Sequence, residues 1–389
     1  MPASADLSAI PQDERNPLTP EKVALGQQLF HDPGMGSSSV AGMKGTYSCA
    51  SCHSSRFGFQ AGVRQGIGRG GSGVANRTAQ DGVSLDDVDT QAIRTPSSMN
   101  VAWQRNMLWN GQFGAFGANA GTEKQWLDGT PRIRNELGYD GVETQAIAGQ
   151  FVHELRNISP RYTAMFDRAF PGWPEESRYG PVTAGLAIAA FERAVMSNQA
   201  PWQRWLSGEK SAMTVMEKQG ALLFMTKAGC SRCHSGPALN SETFHALGLG
   251  DMPGRPGAGI PGERFGRGGF TARESDLYKF KTPQLYNLND SPYLGHGGTV
   301  RSVRAMVEYK NLAVRENQDV PARDLSPEFT PLGLSAGEVE ALTAFVETAL
   351  RDAKLARYEP AFVADEGGCI ISGDILSRRE MACAGGDRR

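Results

Sequence analysis

Apolar residues recur at helical spacing in several stretches of this chain and almost nowhere at the alternating spacing of a half-buried strand. Val23, Leu25, Leu29 and Phe30 fall near one face of a segment that opens at Pro20, a residue suited to a first helical position. The pattern predicts helices over 20–30, 145–155, 182–195, 215–224, 300–309 and 335–351. In the third, Leu186, Ala189, Ala190 and Phe191 face inward; the last opens on Ser335-Ala336-Gly337-Glu338, which has the form of a capping box. Two glycine-rich stretches, 58–82 and 248–269, read as long irregular loops. The expected fold class is all-α with long Gly-rich loops.

The helices also repeat. Leu-Gly-Gln-Gln-Leu-Phe at 25–30 is echoed by Gln-Gly-Ala-Leu-Leu-Phe at 219–224. Each run precedes a copy of one motif, Cys49-Ala50-Ser51-Cys52-His53 and Cys230-Ser231-Arg232-Cys233-His234. Two similar modules are the simplest source of such a repeat. A boundary near 197–209 divides the chain into 1–200 and 201–389.

Composition narrows the class. A chain of 389 residues has room for roughly two to three domains. Lys+Arg 40 against Asp+Glu 42 gives a net charge of −2 and no basic excess, which argues against nucleic acid as a partner. No run of about 18 apolar residues exists, so no membrane span is expected. The first 13 residues are polar and lack an apolar segment of signal-peptide type. With 47 glycines, function is expected on loops.

Cys-x-x-Cys-His is the attachment signature of c-type haem. The two thiols reach the two vinyl groups on one porphyrin edge, and the adjacent imidazole lies under the iron. A single copy would also suit a redox dithiol or half of a zinc site; two copies, each with its trailing histidine and matching helix, favour two covalently bound haems. Such attachment implies export, and in an oxidising compartment Cys369 and Cys383 suit a disulfide, with two free thiols as the alternative. His53 and His234 are the proximal ligands, leaving only His31, His153, His245 and His296.

Around these motifs the chain resembles the bacterial dihaem cytochrome c peroxidase/MauG family. The resemblance is carried by Leu29-Phe30-His31-Asp32-Pro33 before the first motif and by Arg94-Thr95-Pro96-Ser97, Leu108-Trp109-Asn110-Gly111, Glu143-Thr144-Gln145-Ala146-Ile147, Phe280-Lys281-Thr282-Pro283 and Ser291-Pro292-Tyr293, in order over about 16–350. It implies two cytochrome c-like haem domains: a peroxidatic haem on His53 in the first, an electron-transfer haem on His234 in the second. Trp109 matches the inter-haem tryptophan and Gln145 the distal glutamine. The distal glutamate falls on Glu154 if one residue is deleted, beside His153, and either side chain suits the proton transfer that splitting peroxide needs.

Two departures place the chain on the MauG-like branch. Conventional members supply a histidine from the loop after the first motif that blocks the peroxidatic iron, and residues 54–100 contain none. The distal ligand of the second iron, Met or Tyr in the family, falls on Tyr309 or Lys310 depending on how Gly295 is counted, with Tyr309 preferred and Met306 read as core. A non-Met ligand implies a low potential at that haem. Arg94 stands where an Asn side chain helps hold the family's inter-haem calcium, which puts that ion in question. Residues 112–140, which contain Trp126, look like an insertion that either shapes a partner or substrate surface or is a long surface loop, the latter preferred. The resemblance thus implies a periplasmic peroxidase/oxidase that uses hydrogen peroxide to form high-valent haem iron and oxidise a protein partner. The alternative is an ordinary dihaem cytochrome c peroxidase fed by a small cytochrome or copper protein, and a pure electron carrier is the reading from another class.

Overall fold

The computed structural model describes residues 1–360 other than 4, 41 and 253–261, so the Cys369–Cys383 pair lies outside the described residues. Among the described residues ten α-helices carry the fold: α1 (Pro20–His31), α2 (Gly141–Val152), α3 (Thr163–Ala169), α4 (Glu175–Arg178), α5 (Pro181–Ala194), α6 (Pro201–Leu206), α7 (Val215–Met225), α8 (Arg267–Thr271), α9 (Val303–Leu312) and α10 (Ala336–Ala344). Among the described residues the strands are four two-residue pieces in two antiparallel pairs, β1 (Gly71–Ser72) with β2 (Thr78–Ala79) and β3 (Phe244–His245) with β4 (Phe280–Lys281). The helical, strand-poor architecture agrees with the pattern.

Helix ends follow local chemistry. Pro20 sits in the first turn of α1, where Thr19 caps the Lys22 amide. Thr214 and Glu217 close a capping box on α7, and Ser335 and Glu338 close the expected one on α10. The helix expected over 300–309 starts three residues later, because the Ser302 hydroxyl accepts from the Ala305 amide and fixes the start there. The last helix ends in a π-helical turn, Phe345–Ala349.

In the first module α5 is the central, buried helix, crossed by α1 and α2. The α1 crossing is possible only at glycine: a Cβ on Gly26 would lie 1.9 Å from the Ala187 carbonyl oxygen. The second module repeats the device, and a Cβ on Gly220 of α7 would lie 2.0 Å from the Ala341 carbonyl oxygen in α10. The sequence echo therefore marks two equivalent close helix crossings.

The module cores merge. One hydrophobic cluster runs from Leu25, Phe30 and Phe191 to Phe224, Leu342 and Phe345. Residues 355–358 return to the first module, where the Tyr358 hydroxyl donates to the Met196 carbonyl and the Gln27 amide donates to the Tyr358 carbonyl. The 58–82 loop is also better ordered than its composition suggests. Arg77, 1% exposed, donates to the carbonyls of Ile67, Gly68, Gly71 and Gly73, so one guanidinium gathers the glycine-rich chain around itself.

Candidate functional site

Each Cys-x-x-Cys-His motif forms a single tight turn. The amide of His53 donates to the Cys49 carbonyl at 2.9 Å, and that of His234 to the Cys230 carbonyl at 2.9 Å. The turn gathers two thiols and one imidazole. Downstream, Phe59 and Leu239 adopt left-handed backbone conformations (φ 57° and 49°) that non-glycine residues rarely take. Their carbonyls accept from the histidine Nδ1 atoms, at 3.2 Å for His53 and 3.1 Å for His234, with the Pro283 carbonyl also 3.0 Å from the second. These bonds fix the tautomer and leave Nε2 as the free nitrogen on both rings, the arrangement a metal-ligating histidine needs. Burial pulls both imidazoles down to about 4, so both are neutral at pH 7.

Both motifs face cavities. Cys49, Cys52 and His53 line one of about 710 Å³, within the range of cofactor pockets. Cys233 and His234 line a narrower one of about 200 Å³. A wall built from Arg94, Pro96, Ser97, Met107, Leu108 and Trp109 belongs to both. Trp109 is pinned there: its Nε1 donates to the Arg94 carbonyl at 2.8 Å, its carbonyl accepts from the Lys281 amide at 2.7 Å, and its ring meets His296 edge-on at 6.4 Å. The donor chemistry fits two thioether-linked haems: paired thiols, a neutral imidazole with a free Nε2, and a cavity at each motif.

The remaining candidates divide. Gln145 and His153 line the first cavity. His153, the residue capping α2, has Nδ1 2.7 Å from Asp89 Oδ2, and Asp89 lines the same cavity. Burial disfavours the charged imidazole, but the Asp89 carboxylate outweighs it and raises the His153 pKa above its ordinary value. Glu154 is not among the lining residues. Its left-handed backbone (φ 52°) turns the chain after α2, and its carboxylate pairs with Arg69 at 2.7 Å. Asp89 was invisible in the sequence, since nothing local links it to a histidine 64 residues on.

Around the second cavity, Met306 and Lys310 lie four residues apart on one face of α9 and both line the space beside His234. Tyr309 lies about 100° round the helix and is not among the lining residues; its hydroxyl donates to the Leu247 carbonyl at 2.6 Å. Burial lowers the Lys310 pKa, which favours a neutral amine. Met306, read from the sequence as core, packs against the core cluster and also lines the cavity. His245 and His296 also line it, with Glu328 3.5 Å from His245 Nδ1 and Asp251 3.2 Å from His296 Nε2. His31 is away from both cavities, its Nδ1 bonded to the Gln27 carbonyl.

Arg94, 1% exposed, occupies the place where calcium was in question. Its guanidinium donates to Gln60, to Ser291 Oγ at 2.6 Å and to the Ala61 and Thr95 carbonyls. A fixed positive charge thus sits among oxygen atoms of the kind a calcium ion would attract. Residues 112–140 are a surface loop only in part, with Phe116, Leu127 and Leu137 exposed. They fold into 3-10 turns with Gln112, Asn119 and Asn135 buried, and Gln112, Phe113 and Gly129 to Arg132 form part of the first cavity's wall.

Comparison with known proteins agrees with this geometry. Residues 20–211 match the family model of the di-haem cytochrome c peroxidases. The methylamine utilization protein MauG of Methylorubrum extorquens is 31% identical over 343 residues, spanning 87% of this chain and 81% of that protein. The cytochrome-c peroxidase IdrP1 of Denitromonas iodatirespirans is 28% identical over 94% of this chain and 90% of its own. Among solved structures, a MauG-like protein associated with microbial copper homeostasis superposes with a TM-score of 0.63 at 24% identity, covering 89% of this chain and 94% of its own, which is a likeness of fold. The chain is a haem-dependent peroxidase/oxidoreductase and belongs to the dihaem cytochrome c peroxidase/MauG family.

Proposed function

We propose that the protein is a periplasmic dihaem oxidase of the MauG type, which uses hydrogen peroxide to oxidise a protein partner. Its two modules, 1–200 and 201–389, each hold one haem, attached through Cys49 and Cys52 with His53 as proximal ligand, and through Cys230 and Cys233 with His234. When bound, the haems supply the redox chemistry, two electrons per peroxide reduced to water. The observation that carries the MauG-type reading is the loop after the first motif: it brings Asp89 and Gln91 to the first cavity and contains no histidine to close the iron.

The chain's own residues handle protons and charge. Gln145 orients peroxide in the first cavity through its side-chain amide. His153, held at Nδ1 by Asp89, accepts a proton at Nε2 and returns it to the departing oxygen, the work of a general acid–base. Trp109, in the shared wall, is the bridge by which oxidation is distributed between the cavities. Lys310, which lines the second cavity beside His234, would hold the iron of the second haem there in place of Tyr309. Arg94 takes the role of the inter-haem calcium.

The test is the absorption spectrum of the diferric protein before and after one equivalent of peroxide, without donor. A long-lived change at both haems, confined to the first by Trp109→Phe, is expected. A resting enzyme that reacts only after partial reduction, and then turns over a small cytochrome or copper protein, would replace this reading with that of an ordinary peroxidase.

A further inference from the structure

A buried arginine without an acceptor is costly, and Arg132 is such a residue. It is 9% exposed and lines the first cavity, and its Nε has no hydrogen-bond partner. Burial alone lowers its pKa, with no acidic group opposing the shift. The ring of Phe270 in α8 lies 5.7 Å from its Cζ. Gln112 lines the same cavity, 1% exposed, with Oε1 also unpartnered. Both come from the segment 112–140.

The other cations of this region have acceptors, although the Nε of Arg94 is itself without one. Arg94 holds Gln60, Ser291 and two carbonyls, Arg77 holds the glycine-rich loop, and Lys281 donates to Gln104 and the Asn106 carbonyl. A guanidinium with open donors in a cavity wall is a fork shaped for a carboxylate.

We propose that Arg132, assisted by Gln112, forms a carboxylate site in the first cavity and that its occupant is a propionate of the haem held there. This rests on the reading that the first cavity holds a haem. A haem fixed by thioethers at one edge presents its propionates at the opposite edge. Cys52 Sγ lies 3.2 Å from the Ile67 carbonyl in the glycine-rich loop, whereas Arg132 packs against Phe270 of α8, on a different part of the cavity wall. The guanidinium takes the propionate oxygens, and the Gln112 amide, turned to present its NH2, is a further donor. The insertion is therefore part of the haem site.

The experiment uses the diferric holoprotein, without peroxide or partner, so its outcome does not depend on which peroxidase reading holds. Arg132→Gln and Arg132→Lys are compared with the parent by haem content, resonance Raman of the propionate-bending modes and redox titration of each haem. In Arg132→Gln the bending mode of the first haem moves to lower frequency and its potential falls, because an uncompensated carboxylate favours ferric iron; the second haem is unmoved. Arg132→Lys keeps the charge and stays nearer the parent in both. Loss of the first haem in Arg132→Gln with retention in Arg132→Lys also supports the site. Parent-like modes and potential in Arg132→Gln overturn it. So does a first-haem spectrum that responds to added acetate in the parent but not in Arg132→Gln while the bending mode stays put, since the site would then take a free anion.

Discussion

Asp89→Asn isolates the proton chemistry assigned to the first cavity. The variant keeps the size of the side chain and removes the charge that His153 Nδ1 meets at 2.7 Å. A hydrogen bond to a charged group contributes about 1.5–3 kcal/mol, which is about one to two pKa units. In the parent the carboxylate outweighs burial and holds the His153 pKa above 6.5; in the variant only burial remains, so the pKa falls below 6.5. Proton uptake at Nε2 requires the neutral ring. The second-order rate of peroxide reaction should therefore rise with pH through a midpoint above 6.5 in the parent and below it in Asp89→Asn. The plateau should fall by about tenfold in Asp89→Asn, whose imidazole is present but unheld, and by about 10²–10⁴ in His153→Ala, the usual contribution of a general acid–base. Near pH 5 the gap between parent and Asp89→Asn should narrow, because the variant has more neutral imidazole there. Stopped-flow mixing with peroxide from about pH 5 to 8 reads all three quantities. Parent-like rates and midpoints in both variants would refute the assignment and return the role to Glu154.

Two further outcomes follow from the second cavity and the shared wall. Lys310→Ala should change the low-spin spectrum of the diferric protein, whereas Tyr309→Phe, which removes only a hydroxyl bonded to the Leu247 carbonyl, should leave it intact; the reverse result would give the iron to the phenol. Prolonged chelation with EGTA should leave the response to peroxide unchanged, since Arg94 already supplies a positive charge between the cavities; a loss restored by calcium would show that the guanidinium is no substitute.

Much of the local information was legible, although the helices expected over 145–155 and 300–309 lie at Gly141–Val152 and Val303–Leu312. The two Cys-x-x-Cys-His turns close within five residues, so their spacing alone brings thiols and imidazole together, and the repeated Gly-x-x-Leu-Phe helices announced two equivalent crossings at Gly26 and Gly220. Capping at Ser335 was likewise a matter of four adjacent residues. Trp109 and Gln145 were found through family resemblance, and the fold places both in cavity walls.

What tertiary structure decided is which distant side chains share a space. Periodicity puts Met306, Tyr309 and Lys310 on one short helix, but the rotation of α9 against the second module turns the first and last toward His234 and the tyrosine toward Leu247. His153 and Glu154 are neighbours in sequence, yet a left-handed residue at the end of α2 leaves one in the cavity with Asp89 and the other with Arg69. Residues 112–140 carry the composition of a loop and no periodic signal, and only the folded chain shows that Gln112 and Arg132 close a cavity. Hydrogen-bonded turns and helix faces are set by residues within a few positions of one another, so sequence determines them; the partner of a buried charge depends on how helices cross tens of residues away, and that is fixed only when the cores pack.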